Sequence, residues 1–483
     1  MKLRALTHTP LASDPEISGL SSDSRTVRHG DLFAALAGVK ADGAAFLPQA
    51  FAKGAAAALV SYAHRGAVPE GACVIADANP RSRLAQIAGR FFAHAPAFIA
   101  AVTGTNGKTS VANFLRQIWA HAGLKAASMG TVGAITPNGV LPLQHTTPDP
   151  IVLHQMMQTL SNQGISHVAL EASSHGLDQS RLDGLEIAVA GFTNLTRDHL
   201  DYHATIEAYR AAKARLFAEV LAPGRTAVIN NDSPEAQALL ALCRARGQNV
   251  LTVGEARGSA LRLAQRQPEG LGQRLRLSWA GRDYDLLLPL AGGFQSSNVL
   301  VAAGMALASG THPDGVFESL GSLKGAPGRL ERVAVHPNGA AIYVDYAHTP
   351  DAIETAIAAL RPHTSGRLWI VFGCGGDRDP GKRPLMGAAA SAADEVIVTD
   401  DNPRSEDPST IRKAALAGVT RPARDIGDRA QAIREAVAHL AAGDILIIAG
   451  KGHETGQTMG GQTRHFDDSE EARAAVAELG GQT

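Results

Sequence analysis

The chain is poor in cysteine, in net charge, in aromatic side chains and in long apolar runs, and the shortages exclude several classes of protein. Its three cysteines, Cys73, Cys243 and Cys374, are scattered with no paired spacing, which argues against a disulfide framework or a zinc site. Lys plus Arg total 45 against 46 for Asp plus Glu, a formal net charge of −1. No overall field therefore recruits nucleic acid or an anionic membrane, and anion recognition has to be local. The opening MKLRALTHTP lacks the apolar core of a signal peptide, and no run approaches the length of a bilayer span. A soluble, cytoplasmic, monomeric protein without nucleic-acid or membrane partners is expected.

What is present is glycine and regular apolar patterning. The 483 residues include 50 glycines and 45% hydrophobic residues, which suits an α/β protein of many strand–loop–helix units. Length over about 150 suggests roughly three domains. The stretch from Ala100 to Ser110, AAVTGTNGKTS, organises the rest. FIAAV before it has strand length, and VANFLRQIWAHAG after it is apolar at helical spacing. Strand, glycine turn and helix form a phosphate cradle. Gly104 and Gly107 let backbone N–H groups approach an anion, with Thr105, Asn106 and Ser110 in the same turn. The helix start adds its positive dipole end. Lys108 supplies charge to the β- and γ-phosphates of ATP, and Thr109 offers a hydroxyl to magnesium.

The general phosphate loop is G-x-x-x-x-G-K-[ST], but Val102 stands five positions before Gly107. The shorter T-G-T-N-G-K-T resembles the superfamily of Mur ligases and folylpolyglutamate synthetases. That resemblance extends over three expected domains, 1–92, 93–325 and 326–483. It implies a small N-terminal α/β domain, a central P-loop-type domain with a mostly parallel sheet, and a Rossmann-like C-terminal domain.

In the first domain, Asp23-Ser24-Arg25 and Gly30-Asp31-Leu32-Phe33 resemble the segment in which Mur ligases hold a uridine nucleotide. Ser22 and Ser24 are the implied contacts. Val39-Lys40 stands where relatives often carry His-Gln. In the second, His145-Thr146-Thr147 lie on a loop before a helix and suit a polar ligand. Glu171 ends the buried strand VALEA, where magnesium needs an oxygen ligand. By resemblance, Ser173, Gln179 and Arg181 grip the muramyl-peptide substrate, and His199 in RDHLDYH is a second magnesium ligand. Ile206, Tyr209, Leu216 and Phe217 share one helical face with Lys213. An exposed lysine would lay its stem over apolar surface with its ammonium in water. Burial would instead leave a neutral amine able to add CO₂, and the family carries a carbamylated lysine at the matching YxxAKxxLF position. Thr109, Glu171, His199 and carbamylated Lys213 are thus the implied ligands of two magnesium ions.

Asn298, Arg329, Asp345 and His348 are the implied nucleotide contacts, with a hinge at Gly325 to Gly328. In the third domain, charged loops at the carboxyl ends of parallel strands bring Arg378, Lys382, Arg404, Lys451 and Glu454 toward one crevice. Lys382 is assigned to the phosphoryl group, which requires this domain to close over the second. Asp401-Asn402-Pro403-Arg404 matches the DNPR signature of family members that add meso-2,6-diaminopimelate, with Gly450 completing that set. The resemblance therefore implies an ATP-dependent ligase joining this diamino acid to UDP-N-acetylmuramoyl-L-alanyl-D-glutamate through an acyl phosphate. A lysine-adding member, a folylpolyglutamate synthetase and a catalytically silent nucleotide-binding protein are the alternatives.

Overall fold

The computed structural model describes residues 1–10, 13–38 and 41–480, so Val39 and Lys40 lie outside the described residues. The fold is α/β with three domains, each built on its own sheet. The chain divides into two compact units, one of Met1–Lys108, Trp119–Val253 and Gly304–Thr311, the other of Thr109–Ile118, Gly254–Ala303 and His312–Thr483.

The first unit begins with a four-stranded parallel sheet of Gly19–Ser21, Asp31–Ala34, Ala57–Ser61 and Val74–Asp77. The two inner strands, DLFA and AALVS, are apolar nearly throughout because both sheet faces are covered. The outer strands are short or half-exposed, and the sequence reading misses both.

The larger sheet of this unit carries six parallel strands in the order Asn249–Gly254, Thr226–Asn230, Ile187–Phe192, Phe98–Thr103, His167–Glu171 and Ala126–Gly130. Two short antiparallel strands, Gly133–Thr136 and Gly139–Leu141, extend one edge. Phe98–Thr103 and Ile187–Phe192 are neighbours, and the chain runs from the first toward Ala126–Gly130 and from the second toward Thr226–Asn230, in opposite directions along the sheet. Loops part at such a switch point and open a crevice beyond the carboxyl ends of the strands. The glycine turn sits there, followed by the helix Lys108–His121. The helix Ile206–Arg215 buries Tyr209 on the face its periodicity predicts and Lys213 with it, then passes into a π-helical turn, Leu216–Val220, which buries Leu216 and Phe217.

In the second unit, Leu261–Glu269, Gly272–Trp279 and Arg282–Leu288 form an antiparallel meander. Ala280 and Gly281, both at positive φ, make a two-residue turn between the last two strands. The third domain's sheet runs Glu331–Val335, Ala341–Asp345, Ile445–Ala449, Leu368–Cys374, Glu395–Asp400 and Ala423–Asp425, parallel except for its first strand. Alternate residues of Leu368–Cys374 feed opposite cores: Ile370 and Phe372 pack under the helices Pro350–Leu360 and Lys382–Ala390, Trp369 and Val371 under Arg429–Ala438 and Asp468–Glu478. Among the described residues no helix is long and apolar enough to cross a membrane.

One buried ion pair ties this second layer down. Arg429 and Asp468 are fully buried and meet through two bonds of 2.7 Å, while Arg429 Nη2 also donates to the Ala449 carbonyl at 2.9 Å. Removing one partner strands a buried charge, which costs about 3–5 kcal/mol. Asp468→Ala is therefore expected to lower the unfolding free energy, measured by denaturant titration, by an amount in that range. A loss below about 1 kcal/mol would show the pair to be dispensable.

Candidate functional site

The geometry of the glycine turn explains its composition. Gly104 has φ +151°, and a Cβ there would stand 1.9 Å from Thr193 Oγ1 and 3.1 Å from the Asn194 backbone. Gly107 is left-handed at φ +88°. The turn is stitched to the end of the neighbouring strand: Thr105 N donates to Asn194 O at 2.9 Å, Asn106 N to Asn194 Oδ1 at 3.0 Å, and Thr193 Oγ1 to Asn106 O at 2.7 Å. Thr105 Oγ1 donates to Thr196 O and accepts from Thr196 N and Tyr209 OH. Thr193, Asn194 and Thr196 were not foreseen in this role, because their contribution depends on strand order. Thr109 is half-buried and Ser110 buried in the first turn of the following helix.

Two lysines converge on the turn. Lys108 Nζ donates to the carbonyls of Gly104 at 2.8 Å and Thr105 at 2.9 Å. Lys213 Nζ donates to the same Gly104 oxygen at 2.7 Å and lies 4.4 Å from the Tyr209 ring centre. Lys213 is 2% exposed, and Phe192, Leu195, Leu239 and Leu242 share an apolar pocket with it. Burial, reinforced by the Lys108 charge, brings its pKa down to about 6. Lys213 is therefore a neutral amine at pH 7, and the snorkelling alternative is excluded.

Glu171 sits across the turn's neighbouring strand, 2% exposed. Its Oε1 accepts from Thr131 N at 2.9 Å and its Oε2 from Thr131 Oγ1 at 3.3 Å. A Cβ at Gly130 would fall 1.9 Å from Oε1, so a glycine is required where the carboxylate passes. The 145–147 loop is fastened to the same point. Thr146 Oγ1 lies 3.0 Å from Thr131 Oγ1, and Thr147 Oγ1 donates to Glu171 O at 2.7 Å while accepting from Ser173 N; His145 is exposed. Ser173 Oγ caps the helix Ser174–Asp178. Arg181 donates to Thr147 O and Gln179 Oε1, and Gln179 Nε2 to Tyr202 OH. His199 is exposed, left-handed at φ +52°, with its ring 5.1 Å from that of His175. His175, Tyr202 and His203 complete an aromatic cluster that sequence reading did not select.

Among the described residues no three His, Cys, Asp or Glu side chains converge as a cage for a metal. The donor chemistry still fits magnesium, which takes one or two protein oxygens and fills its shell with phosphate oxygens and water. Glu171 and the Thr109 hydroxyl are oxygen donors, and the neutral amine of Lys213 becomes one on gaining CO₂.

At the start of the chain Ser24 is buried and its hydroxyl donates to Gln49 Oε1 at 2.8 Å, while Ser22 is exposed. Gln49 is a partner only the fold reveals.

In the second unit, Asp345 accepts from Leu330 N and Ala347 N, and the Arg329 guanidinium lies 4.6 Å from the Tyr346 ring. His348 Nδ1 is 2.8 Å from Tyr346 O, and His453 also faces that ring. Gln295, one turn before buried Asn298 on the helix Gly293–Ala308, donates to Arg329 O. Arg329, Asp345 and His348 are thus gathered around Tyr346, while Asn298 is buried one turn beyond Gln295. Gly328 is held tightly: φ is +63°, its N–H donates to Glu331, and a Cβ would stand 2.2 Å from His453 N.

The crevice residues of the third domain also meet. A Cβ at Gly375 would meet Arg404 Nη1 at 3.0 Å and the Arg378 stem at 3.7 Å, so the two arginines come together beside it. Asn402 Nδ2 donates to Glu454 Oε2 at 2.9 Å, and Gly450, at φ +119°, leaves room for buried Asp401. Pro403 is buried between Asn402 and Arg404. Arg404 Nη1 donates to Gly376 O at 2.8 Å. Lys451 differs from expectation. It is fully buried, donates to Gly456 O, and lies 3.5 Å from Glu454 and 3.9 Å from Asp401, so it supports the crevice instead of facing into it. Lys382 is exposed at the first position of its helix.

Family models match three consecutive segments: the Mur ligase family catalytic domain over residues 16–102, the Mur ligase middle domain over 102–306, and the Mur ligase glutamate ligase domain over 328–452. The chain is 52% identical over 488 aligned residues to a protein of Bradyrhizobium diazoefficiens named UDP-N-acetylmuramoyl-L-alanyl-D-glutamate--2,6-diaminopimelate ligase, covering 99% of both. A protein of the same name from Mesorhizobium japonicum is 51% identical over 99% of both chains. A solved structure of a ligase of that name superposes with a TM-score of 0.76 at 34% identity, again over 99% of each chain. The chain therefore belongs to the Mur ligase family, the ATP-dependent amide-bond-forming ligases of peptidoglycan synthesis.

Proposed function

We propose that this chain joins meso-2,6-diaminopimelate to UDP-N-acetylmuramoyl-L-alanyl-D-glutamate, using ATP, as a monomer in the cytoplasm. The domains proposed for the task are residues 1–92 for the uridine nucleotide, 93–325 for ATP and 326–483 for the amino acid. The observation that carries the reading is the third-domain crevice, in which Arg378 and Arg404 come together beside Gly375 and Glu454 is held by Asn402. Diaminopimelate differs from lysine by a second carboxylate, which a guanidinium fork pairs bidentately. A carboxylate such as Glu454 suits the ammonium. This favours diaminopimelate over lysine.

A carboxylate is a poor acceptor for an amine until one oxygen can leave. The substrate's D-glutamate carboxylate attacks the γ-phosphorus of ATP, forming an acyl phosphate and releasing ADP. The deprotonated amine of diaminopimelate then adds to the acyl carbon. The tetrahedral intermediate expels inorganic phosphate and loses a proton, leaving the amide. The first step is mostly positioning and charge neutralisation. Backbone N–H groups from Gly107 to Ser110 would cradle the phosphates, those of Thr105 and Asn106 being bonded to Asn194, with Lys108 and Lys382 supplying charge. Thr109, Glu171, His199 and carbamylated Lys213 would hold magnesium, which when bound neutralises phosphate charge. Asn298, Arg329, Asp345 and His348 would clasp the nucleotide; Ser22 and Ser24 the uridine portion; His145, Thr146, Thr147, Ser173, Gln179 and Arg181 the peptide.

Carbamate formation needs the neutral amine. Lys213 loses its proton as pH rises through about 6, so a ¹³C-carbamate signal from labelled bicarbonate should grow across that window and vanish below it. Lys213→Ala should abolish turnover, with partial rescue by short-chain carboxylates. An unmodified, solvent-facing Lys213 in a crystal of the magnesium–nucleotide complex would sink the assignment.

Arg404→Ala should raise KM for diaminopimelate about ten- to a hundredfold, the worth of a charge-assisted hydrogen bond, while KM for ATP changes little. Unchanged amino-acid kinetics would remove the selectivity claim. ADP release measured with diaminopimelate, lysine and glutamate separately distinguishes the ligase from its relatives.

A further inference from the structure

The DNPR segment is held in a conformation that most side chains avoid. Arg404 has φ +54°, and Asp377, on the facing loop, has φ +53°. Two non-glycine residues in the left-handed region cost free energy unless their surroundings over-determine them. The surroundings do so through one carboxylate. Glu406 Oε1 accepts from Asp377 N at 2.6 Å, and both its oxygens accept from Arg383 Nη2, at 2.8 and 2.9 Å. Arg383 is 4% exposed on the helix Lys382–Ala390, so the carboxylate is anchored to a rigid element. In return, the Asp377 carboxylate accepts from Ser405 Oγ at 2.6 Å and Ser405 N at 3.2 Å. The two loops are thereby laced in both directions, on either side of Arg404.

The lacing fixes where the Arg404 guanidinium can be. With the loops in this register, Arg404 N donates to Thr458 O at 3.0 Å and Nη1 to Gly376 O at 2.8 Å. A Cβ at Gly376 would stand 1.9 Å from Pro403 O, a measure of how closely the loops approach. The hydrogen bonds of the fork run through Nη1, and no carboxylate pairs with Arg404 among the described residues. Neither bond uses Nε or Nη2.

We propose that Glu406, anchored on Arg383, is a positioning residue for amino-acid selectivity: it holds the Asp377 and Arg404 loops in register so that the Arg404 fork meets the second carboxylate of the diamino-diacid. This rests on the crevice being the amino-acid site and adds how its preference is set. Glu406 itself touches no substrate.

The test compares full-length Glu406→Ala, Glu406→Gln and Arg404→Ala. Loss of the clasp should raise KM for meso-diaminopimelate about tenfold in Glu406→Ala, with kcat and KM for ATP within about twofold. The Ki of lysine, which has no second carboxylate to misalign, should stay within about twofold as well. Glu406→Gln keeps an acceptor for Asp377 N and should fall between Glu406→Ala and wild type. Equal weakening of both amino acids, or a fall in thermal stability with unchanged diaminopimelate KM, would overturn the proposal. Should Arg404→Ala leave diaminopimelate binding intact, the crevice assignment itself fails; should Arg404→Ala weaken it and Glu406→Ala not, only the positioning role fails. If Glu406→Ala does not fold, Ser405→Ala cuts the reciprocal strand of the lacing and carries the same expectations.

Discussion

A single backbone oxygen, the Gly104 carbonyl, accepts from the amino groups of both Lys108 and Lys213. Two ammonium ions could share it only against their mutual repulsion and, for Lys213, against near-complete burial. The arrangement resolves by keeping Lys213 uncharged. Much else depends on that constraint. The glycine at 104 is required by Thr193 and Asn194 behind it, and its conformation aims the carbonyl at the helix that carries Lys213. Tyr209, one turn earlier on that helix, covers the amine with its ring and bonds Thr105 with its hydroxyl. Turn, strand end and helix are thereby locked as one piece, ready for phosphate chemistry before any ligand arrives.

The sequence made part of this legible. Strand, glycine turn and helix around Lys108 are local features, and local patterning suffices to place them. The shared face of Tyr209, Lys213, Leu216 and Phe217 survives a change from α- to π-helical winding, because both keep those side chains against the core. Burial of Lys213 is the decisive point: helical spacing places it on the apolar face, whereas only the packed structure shows that its amine is buried. What stayed hidden depends on strand order. Thr193 and Asn194 hold the turn because Ile187–Phe192 pairs with Phe98–Thr103, and no spacing along the chain announces that pairing. The strand Leu261–Glu269 escaped notice because its polar half, AQRQPE, is exposed and lacks the apolar signal of a buried strand.

The third domain repeats the lesson with charge. A string of arginines, lysines and acids at strand ends announces a charged crevice, but not which of them point inward. Lys451 is buried beneath Asp401 and Glu454, where its charge makes two neighbouring carboxylates tolerable. Glu406 and Arg383 read as ordinary surface charges, yet the backbone angles of Arg404 and Asp377 show what they hold in place.

The position of Ile445–Ala449 in the middle of its sheet bears on how the protein is made. This strand pairs with Ala341–Asp345 on one side and Leu368–Cys374 on the other, although both precede it by a long stretch of chain. A ribosome releases the two flanking strands well before their shared neighbour, so the nascent domain waits with a gap at its centre. The same late segment brings Gly450, Lys451 and Glu454. A polypeptide whose synthesis stops short of it therefore has neither a continuous sheet nor a complete charged crevice, and topology alone keeps unfinished molecules from assembling either.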